Sequence, residues 1–465
     1  MLKMLDRLIT AIDSIQTKND DYIEARYHTR DTTSIQIENR VVKNVSSGIT
    51  EGLSLRALIN GSWGSMTLEG FTLSEIKQGF LKCIELAKNS HPFKKRFVSL
   101  AEIPINEDFV KPDIRIPINE ISISEKIDVC LEAEKNLQTH NKFMVQASAN
   151  YFDTVDQKFI LTSEGTKLEL HDQKTTLLLS GVAKKNGILS PAASRMAGTK
   201  GFEIFDNDSS HLLSEEVGSR AVRLTEASFA PSGYFTVILG PQLTRLLAHE
   251  AFGHTNEADL VSGGSVLQGK VNKKICNKNI SILDDAVYPG SFGWLPGYDD
   301  EGTPAQKTIM VDKGILITHL HNRESAAEYT TTPTGNARAF MHNNDPIIRM
   351  TNSVILGGDS SLEEMIAETT NGFLLEGRRM GQADYSGEFM FGVQEGRQIL
   401  KGELSDKYYR AVTISGIALD VLSKTRLLSE QIERGFAGFC GKGQTAFTGG
   451  GGPFILTELN VGGKN

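Results

Sequence analysis

Two histidines, a glutamate and a cysteine are the residues of this chain whose types suit metal-assisted hydrolysis. His249 and His254 lie five residues apart, and Glu250 follows the first histidine directly. Imidazole nitrogens and thiolate sulfur are ligands that Zn²⁺ takes readily, and a nearby carboxylate can take a proton from water. The pattern H-E-x-x-G-H is one residue longer than the H-E-x-x-H motif of zinc peptidases.

The extra residue changes the geometry. Around a regular α-helix, residues four apart differ by about 40° and residues five apart by about 140°, so the two imidazoles would not meet on one ion. A single π-bulge absorbs one residue. We expect the distortion at Gly253, because glycine tolerates unusual backbone angles. By itself the motif is weak evidence, since two histidines on a helix can be hydrogen-bonded without a metal.

Cys440 is the best candidate for a third ligand. It lies between glycines in the segment Gly438–Gln444, which predicts an open loop from which a thiolate could reach a metal. With His249 and His254 it would complete the three protein ligands of a catalytic zinc site, which keeps a fourth position for water. The glycine run Gly449–Gly452 could present its backbone to an extended peptide, or it could be a flexible turn.

Other residues compete for these roles. Glu257 and Asp259 follow the motif and could either bind the metal or orient the imidazoles. His319 and His321 share one face of a predicted strand, a pattern that more often lines a polar strand face than binds a metal. A serine hydrolase and a P-loop enzyme are disfavoured, because neither G-x-S-x-G nor a P-loop motif occurs.

The composition is typical of a soluble globular protein. The chain has 465 residues, of which 39% are hydrophobic and 23% charged, and its net charge is −8. An acidic chain without a basic run argues against a large nucleic-acid interface. No apolar run reaches the roughly 18 residues of a membrane span, and the four cysteines form no C-x-x-C pair. We therefore expect a cytoplasmic protein without membrane contact.

The periodicity predicts an α+β fold of two domains. Residues 1–228 are expected to form an N-terminal domain of antiparallel strands and helices, and 229–465 a strand-rich C-terminal domain that carries the histidine motif. Thr72 precedes one helical pattern as its N-cap, and either Ser122 or Ser124 is expected to cap a second. A polar turn at Thr29–Thr33 is expected to separate two strands.

Several motifs together resemble the TldD/PmbA family of bacterial and archaeal proteins, once described as modulators of DNA gyrase. The resemblance runs almost end to end and is highly specific, whereas the histidine motif alone is not. The shared motifs are Ser34–Ser47 followed by Gly52–Arg56, His249–His254 with Glu257 and Asp259 behind it, Asp299–Gln306, Pro333–Arg338, Arg349–Asn352, Cys440–Lys442 and Gly443–Gln444.

The resemblance implies a function. One branch of the family carries the histidine motif and the cysteine and is a zinc peptidase, whereas the TldE or PmbA branch lacks them and serves as a partner. By position, His249, His254 and Cys440 would bind Zn²⁺ and Glu250 would be the general base. The family also implies a barrel-like antiparallel C-terminal domain, unfolded or short peptides as substrates, and a homodimer or a heterodimer with a TldE/PmbA-like subunit.

Two departures from the family pattern bear on substrate fit and partner choice. The segment Ser291–Asp300 is longer than usual, and the cysteine loop is one residue shorter. Two alternatives stay open at this point. The chain could be a non-catalytic partner subunit, or it could resemble dipeptidyl peptidase III, to which Glu363–Glu368 bears a loose likeness. The chain is too short for the latter, and those glutamates suit the polar face of a short helix.

Overall fold

The computed structural model describes residues 2–15 and 21–463. A seven-stranded sheet forms the first half, in the order β3-β2-β1-β5-β6-β4 with β7 paired to β6. The strands are β1 (Tyr22–Glu38), β2 (Val41–Ile59), β3 (Ser62–Leu68), β4 (Glu107–Val110), β5 (Met144–Thr162), β6 (Lys167–Lys185) and β7 (Ile188–Gly198). The helices are α1 (Leu2–Asp13), α2 (Leu73–Ser90), α3 (Ile123–Thr139) and α4 (Ser209–Leu224).

The helix starts were predictable, but one predicted turn is wrong. Thr72 and Ser122 form capping boxes at α2 and α3, as their sequence context indicates. The expected turn at Thr29–Thr33 is instead the middle of β1, paired with both β2 and β5. Its polar residues are accommodated because they have buried partners: Arg30 Nε donates to Asp156 at 2.6 Å. Polarity here reflects a buried ion pair and not a turn.

The second half is strand-rich. Its strands are β8 (Ser228–Phe229), β9 (Gly233–Leu239), β10 (Ile282–Asp285), β11 (Lys307–Asp312), β12 (Ile315–Leu316), β13 (Ala337–Arg338), β14 (Ile347–Ile348), β15 (Asn352–Ile355), β16 (Asn371–Ala383), β17 (Glu388–Leu400), β18 (Glu403–Arg410), β19 (Val412–Ile417), β20 (Leu427–Leu428), β21 (Glu433–Arg434), β22 (Gly438–Lys442), β23 (Gln444–Gly452) and β24 (Ile455–Gly462). Its helices are α5 (Pro241–Leu246), α6 (Ala258–Ser262), α7 (Arg323–Glu328), α8 (Leu362–Glu368) and α9 (Ala418–Ser423).

Five of these strands close into a barrel, in the order β16-β9-β24-β19-β17, because β17 also pairs with β16. Neighbouring strands are antiparallel except for β9 and β16, which run parallel. The predicted α+β class with a strand-rich, barrel-like second half is confirmed. A second sheet, β12-β11-β10-β15-β23-β21, lies in the same half and carries β22 on β23. None of the described helices combines the length and apolar character of a membrane span.

The helix that carries the histidine motif is fixed by the main core of the second half. Leu243, Leu247 and Phe252 are almost fully buried, and they belong to one apolar cluster with Phe389 and Phe391 of β17. Packing of this kind locks a helix in position, because a shift would open cavities on both sides. The motif therefore sits on a rigid support.

Candidate metal centre

The histidine motif adopts the distorted helix that its spacing predicts. The chain runs from β9 through α5, which begins at Pro241, into a π-helical segment over Leu247–Gly253. The backbone N–H of His254 donates to the carbonyl of His249, which is the five-residue hydrogen bond of a π-turn. The extra residue is thereby absorbed, and both histidines face the same side of the helix.

Gly253 is needed for space and not for unusual angles. Its φ of −60° and ψ of −48° are ordinary helical values, so the expectation that glycine eases a backbone distortion is wrong. A Cβ at this position would overlap the sulfur of Met350 and lie 3.0 Å from the carbonyl oxygen of Ala248. The glycine lets the segment before β15 pack directly against the π-turn.

Cys440 lies on a strand and not in an open loop, contrary to the sequence expectation. β22 and β23 form a hairpin in which Cys440 pairs with Ala446, and Gly443 makes the turn with φ +68°. Fully buried Arg349 holds this hairpin, since its guanidinium donates to the carbonyls of Cys440 at 2.8 Å and Gln444 at 2.5 Å. The glycines beside the cysteine reflect tight packing and turning of a hairpin.

The structure brings His249, His254 and Cys440 together. One potential ligand atom from each lies within 4.8 Å of the other two. The Nε2 of His254 is 3.2 Å from the Sγ of Cys440, and the two imidazole centroids are 5.2 Å apart. In a tetrahedral zinc site with bonds of about 2.0–2.3 Å, ligand atoms are separated by roughly 3.5 Å.

The surroundings of His249 fit a metal ligand. Its side chain is buried, and neither ring nitrogen has a hydrogen-bond partner among the described residues. A buried polar group without a partner costs free energy, and a metal bond would offset that cost. Two imidazoles and a thiolate form a donor set that zinc prefers, so the residues fit the metal.

Glu250 and Glu257 occupy different positions around His254. The Oε2 of Glu250 lies 3.7 Å from His254 Nε2, on the side that faces the cysteine, and its side chain is 25% exposed. Glu257 is fully buried and accepts from His254 Nδ1 at 2.9 Å. Lys442 lies 3.1 Å from Glu257 and 2.8 Å from Asp259. Glu257 therefore orients the imidazole from behind, and Asp259 reaches the site only through Lys442.

The charges of the three candidate ligands are coupled. Burial lowers the pKa of His249 well below its ordinary value, and Arg245 lowers it further. Burial also opposes protonation of His254, but Glu257 and Cys440 outweigh it and raise the pKa of His254 to about 10. Burial would raise the pKa of Cys440, but His254 outweighs burial and holds it below its ordinary value. Metal binding would therefore displace a proton from His254.

Sequence reasoning missed the buried arginines that frame the site. Arg349 anchors the cysteine hairpin, and Arg245 on α5 donates to Thr448 of β23 at 3.0 Å. Arg349 does lie within the family motif Arg349–Asn352, so the sequence offered a reason to consider it. Arg245 carried none, because a basic residue near the end of a short helix is ordinary on a protein surface.

The competing candidates are not part of the cluster. His319 and His321 follow β12 in an extended segment beyond its end, with their Nδ1 atoms hydrogen-bonded to Asn256 and Ser325. The glutamates of Glu363–Glu368 are exposed on α8. The run Gly449–Gly452 is part of a buried strand and not a flexible turn. It pairs with β15 through Gly449–Gly451 and with β21 through Gly451 and Gly452, and its binding of a peptide by strand addition stays a prediction.

Comparison with known proteins agrees with the motif pattern. Models of the PmbA/TldA metallopeptidases match domain 1 at residues 23–90, the central domain at 116–229 and the C-terminal domain at 232–463. A metalloprotease from Methanocaldococcus jannaschii is 34% identical, over 95% of this chain and 97% of that protein. A zinc metalloprotease TldD homolog from Saccharolobus solfataricus is 28% identical, over 90% of this chain and 92% of its own length.

A solved structure shares the fold. TldE from Thermococcus kodakarensis superposes with a TM-score of 0.80 at 19% identity, covering 98% of this chain and 99% of that one. The likeness extends over the whole molecule and concerns the fold alone. Together with the matched family models and the 34% identical relative, it leads to one conclusion: the chain belongs to the TldD/PmbA family of metallopeptidases.

Proposed function

We propose that the protein is a zinc-dependent metallopeptidase that cleaves unfolded or short peptides, with His249, His254 and Cys440 as zinc ligands and Glu250 as general base. The observation that carries this proposal is the buried, unpartnered imidazole of His249 beside a second imidazole and a thiol within 4.8 Å. A non-catalytic partner subunit would have no use for such a costly arrangement.

The residues around the site have separate tasks in this mechanism. Bound zinc would lower the pKa of a water molecule and polarise a carbonyl group. Glu250 would accept the proton of the attacking water and donate it to the leaving amine, because its partly exposed carboxylate faces the open side of the cluster. Glu257 would keep His254 in the tautomer whose Nε2 is free to bind, and Arg349 would hold the backbone of Cys440 in place.

The substrate class and the assembly are further parts of the proposal. Unfolded or short peptides suit a site set between two packed halves, where a folded protein would not fit. A second copy of the chain or a TldE/PmbA-like subunit is the partner that the family implies. The fold likeness to TldE is consistent with a pairing of similar subunits, and cytoplasmic localisation stays a prediction.

The test is zinc content and peptide cleavage in the wild type and in Glu250→Gln. We expect about one zinc per chain in both proteins, cleavage of reduced, unfolded casein by the wild type, and a loss of at least about 100-fold in the variant. Glu363→Gln, which alters an exposed glutamate on α8, is the matched control and should keep full activity. Cleavage at the wild-type rate by Glu250→Gln would exclude this mechanism.

A further inference from the structure

A cavity of about 380 Å³ lies beside the candidate metal centre, where the first sheet meets the barrel. Its walls come from β7, β16 and the cysteine hairpin. The residues that matter for its chemistry are Arg195, Gln242, Arg378, Arg379, Gln394 and Phe439. Phe439 directly precedes Cys440, so the cavity and the metal centre share one strand of the hairpin.

The cavity is rich in positive charge, and no carboxylate of the described residues forms a close ion pair with it. Arg195, Arg378 and Arg379 form no ion pair with any carboxylate among the described residues. Arg378 donates to the carbonyl of Ala437 at 2.5 Å, and Arg379 to that of Pro191 at 3.2 Å. These are neutral acceptors, and the one carboxylate that acts on Arg378, that of Glu250, only partly offsets the effect of burial, which lowers the pKa of Arg378.

Two of the nearby guanidinium groups are also incompletely hydrogen-bonded. The Nε atoms of Arg195 and Arg245 are buried and have no partner in the described chain. Arg195 lies over the ring of Phe439, with its Cζ 5.1 Å from the centroid. Arg245 is 1% exposed and lies behind Gly438 of the same hairpin. Buried donors without acceptors are unusual, and they indicate that an acceptor is brought by a ligand.

The arginines destabilise one another's charged forms. Burial lowers the pKa of Arg195 to about 10, and Arg378 adds to the effect. Burial likewise lowers the pKa of Arg245 to about 10, again with a contribution from Arg378. The opposing charges that act on Arg245 come from Glu250 and Cys440 at the metal centre. An anion in the cavity would remove this repulsion.

We propose that this arginine-lined cavity binds the carboxylate of a substrate peptide, and specifically its C-terminal carboxylate, so that cleavage occurs close to the C-terminus. Guanidinium groups match a carboxylate with paired, charge-assisted hydrogen bonds. Glu250 acts electrostatically on Arg378, so a carboxylate bound by Arg378 would lie close to the proposed general base and to the reacting peptide bond. Hydrolysis there is ordinary: the C–N bond breaks, the acyl carbon gains OH from water, and the released amine gains the proton.

This inference rests on the proposed peptidase function, but its test separates the two. The Glu250→Gln protein is loaded with zinc, and binding of a fluorescent hexapeptide is measured by anisotropy. Three forms of the peptide are compared: the free acid, the C-terminal amide, and the amide with a glutamate at its last position. Wild-type digests of the free acid are analysed by mass spectrometry for the cleavage position.

We expect the free acid to bind at least about tenfold tighter than the amide, because a hydrogen bond to a charged group contributes enough for that difference. Arg195→Gln and Arg378→Gln should reduce the preference to about twofold or less, and Arg195→Lys should restore part of it. Arg7→Gln, on the exposed face of α1, is the control and should keep the full preference. The wild type should release short fragments from the C-terminus of the free acid.

Equal binding of acid and amide by the parent protein would overturn the proposal. Equal binding of the free acid and the glutamate-bearing amide would also overturn it, because the cavity would then bind an acidic side chain as well as it binds the C-terminal carboxylate. A protein that cleaves internal bonds of both peptides alike would keep the peptidase function and lose the carboxylate site. A protein that binds the acid selectively but cleaves nothing would keep the carboxylate site and lose the peptidase function.

Discussion

Two pairs of buried histidines lie on neighbouring segments of this protein and differ in their partners. In the first pair, His249 has no hydrogen-bond partner within residues 2–15 and 21–463, and His254 contacts a carboxylate and a thiol. In the second, His319 Nδ1 is 2.7 Å from the amide oxygen of Asn256, and His321 Nδ1 is 3.0 Å from the hydroxyl of Ser325. The residue type is the same in both pairs, but only the first pair lies beside a third potential metal ligand, the thiol of Cys440.

The cysteines repeat the contrast. Cys83, Cys130 and Cys276 are buried among apolar residues, and burial raises the pKa of each thiol to about 12. Cys440 is buried too, but His254 outweighs burial and lowers its pKa. Burial alone therefore says little about the role of a histidine or a cysteine. The neighbour that stabilises one ionisation state identifies the reactive member of each set.

The largest expected effect is the loss of zinc on removal of one ligand of the first pair. Cys440→Ala leaves only two imidazoles, so we expect no zinc after dialysis and no peptide cleavage. This loss of zinc affinity exceeds the about 100-fold that follows when a residue hydrogen-bonded to a ligand is removed. His319→Gln in the second pair should keep about one zinc per chain. Metal analysis of both purified variants decides the point, and loss of zinc from His319→Gln would break the comparison.

A smaller effect is expected when the support of His254 is weakened. Glu257→Gln keeps the size of the side chain but removes the charge that orients the imidazole, so zinc affinity should fall by about 10–100-fold. Competition with a chromophoric chelator measures this affinity. Asp259→Asn is the matched control, because Asp259 contacts Lys442 at the edge of the site and forms no hydrogen bond or ion pair with His254 among the described residues. Equal affinities in the two variants would assign Glu257 a merely structural role.

Much of this site could be predicted from the sequence because its key features are local. The five-residue spacing of His249 and His254 requires a π-turn, and Glu257 lies one further turn along. Capping boxes at Thr72 and Ser122 are local in the same sense. Cys440 is the best candidate for a third ligand by its residue type, and the family motif supports it, but no periodicity links positions 186 residues apart.

The rest depends on tertiary packing that the sequence pattern does not encode. The polar residues of Thr29–Thr33 indicated a turn. The sequence does not show that Arg30 is paired with Asp156, because Asp156 belongs to a distant strand. The glycines around Cys440 indicated a loop, because the sequence does not show that Arg349, from the segment between β14 and β15, holds these residues as a hairpin. The cavity of Arg195 and Arg378 is formed by strands of the first sheet and of the barrel, which lie far apart in the sequence.

A third prediction concerns the packing that keeps the first pair in place. Gly253→Ala would force the new methyl group against Met350 and Ala248, so we expect a loss of about 1–3 kcal/mol in stability, typical of overpacking, and weaker zinc binding. Gly441→Ala adds a methyl group next to Cys440 where no atom lies within 4 Å, and it should cost little. Thermal unfolding midpoints with and without zinc measure both effects. Equal midpoints would contradict the packing argument.

The last effect is expected from the second pair and only in acid. Burial lowers the pKa of both His319 and His321 to about 4, below the value of about 6.5 in an unfolded chain. The unfolded state therefore binds protons that the folded state refuses, so the pair stabilises the fold above pH 6.5 and this contribution is lost as the pH falls towards 4. At pH 7 and above the pair adds no pH dependence.

The double variant His319→Gln/His321→Gln should therefore lose less thermal stability than the wild type between pH 7 and pH 5. Both proteins are measured with chelator present, so that proton competition at the zinc ligands cannot contribute. His211→Gln, whose ring is half exposed on α4, is the control and should follow the wild type. If the double variant keeps the wild-type slope, the second pair is not held neutral by burial, and the contrast with His249 and His254 then rests on their partners alone.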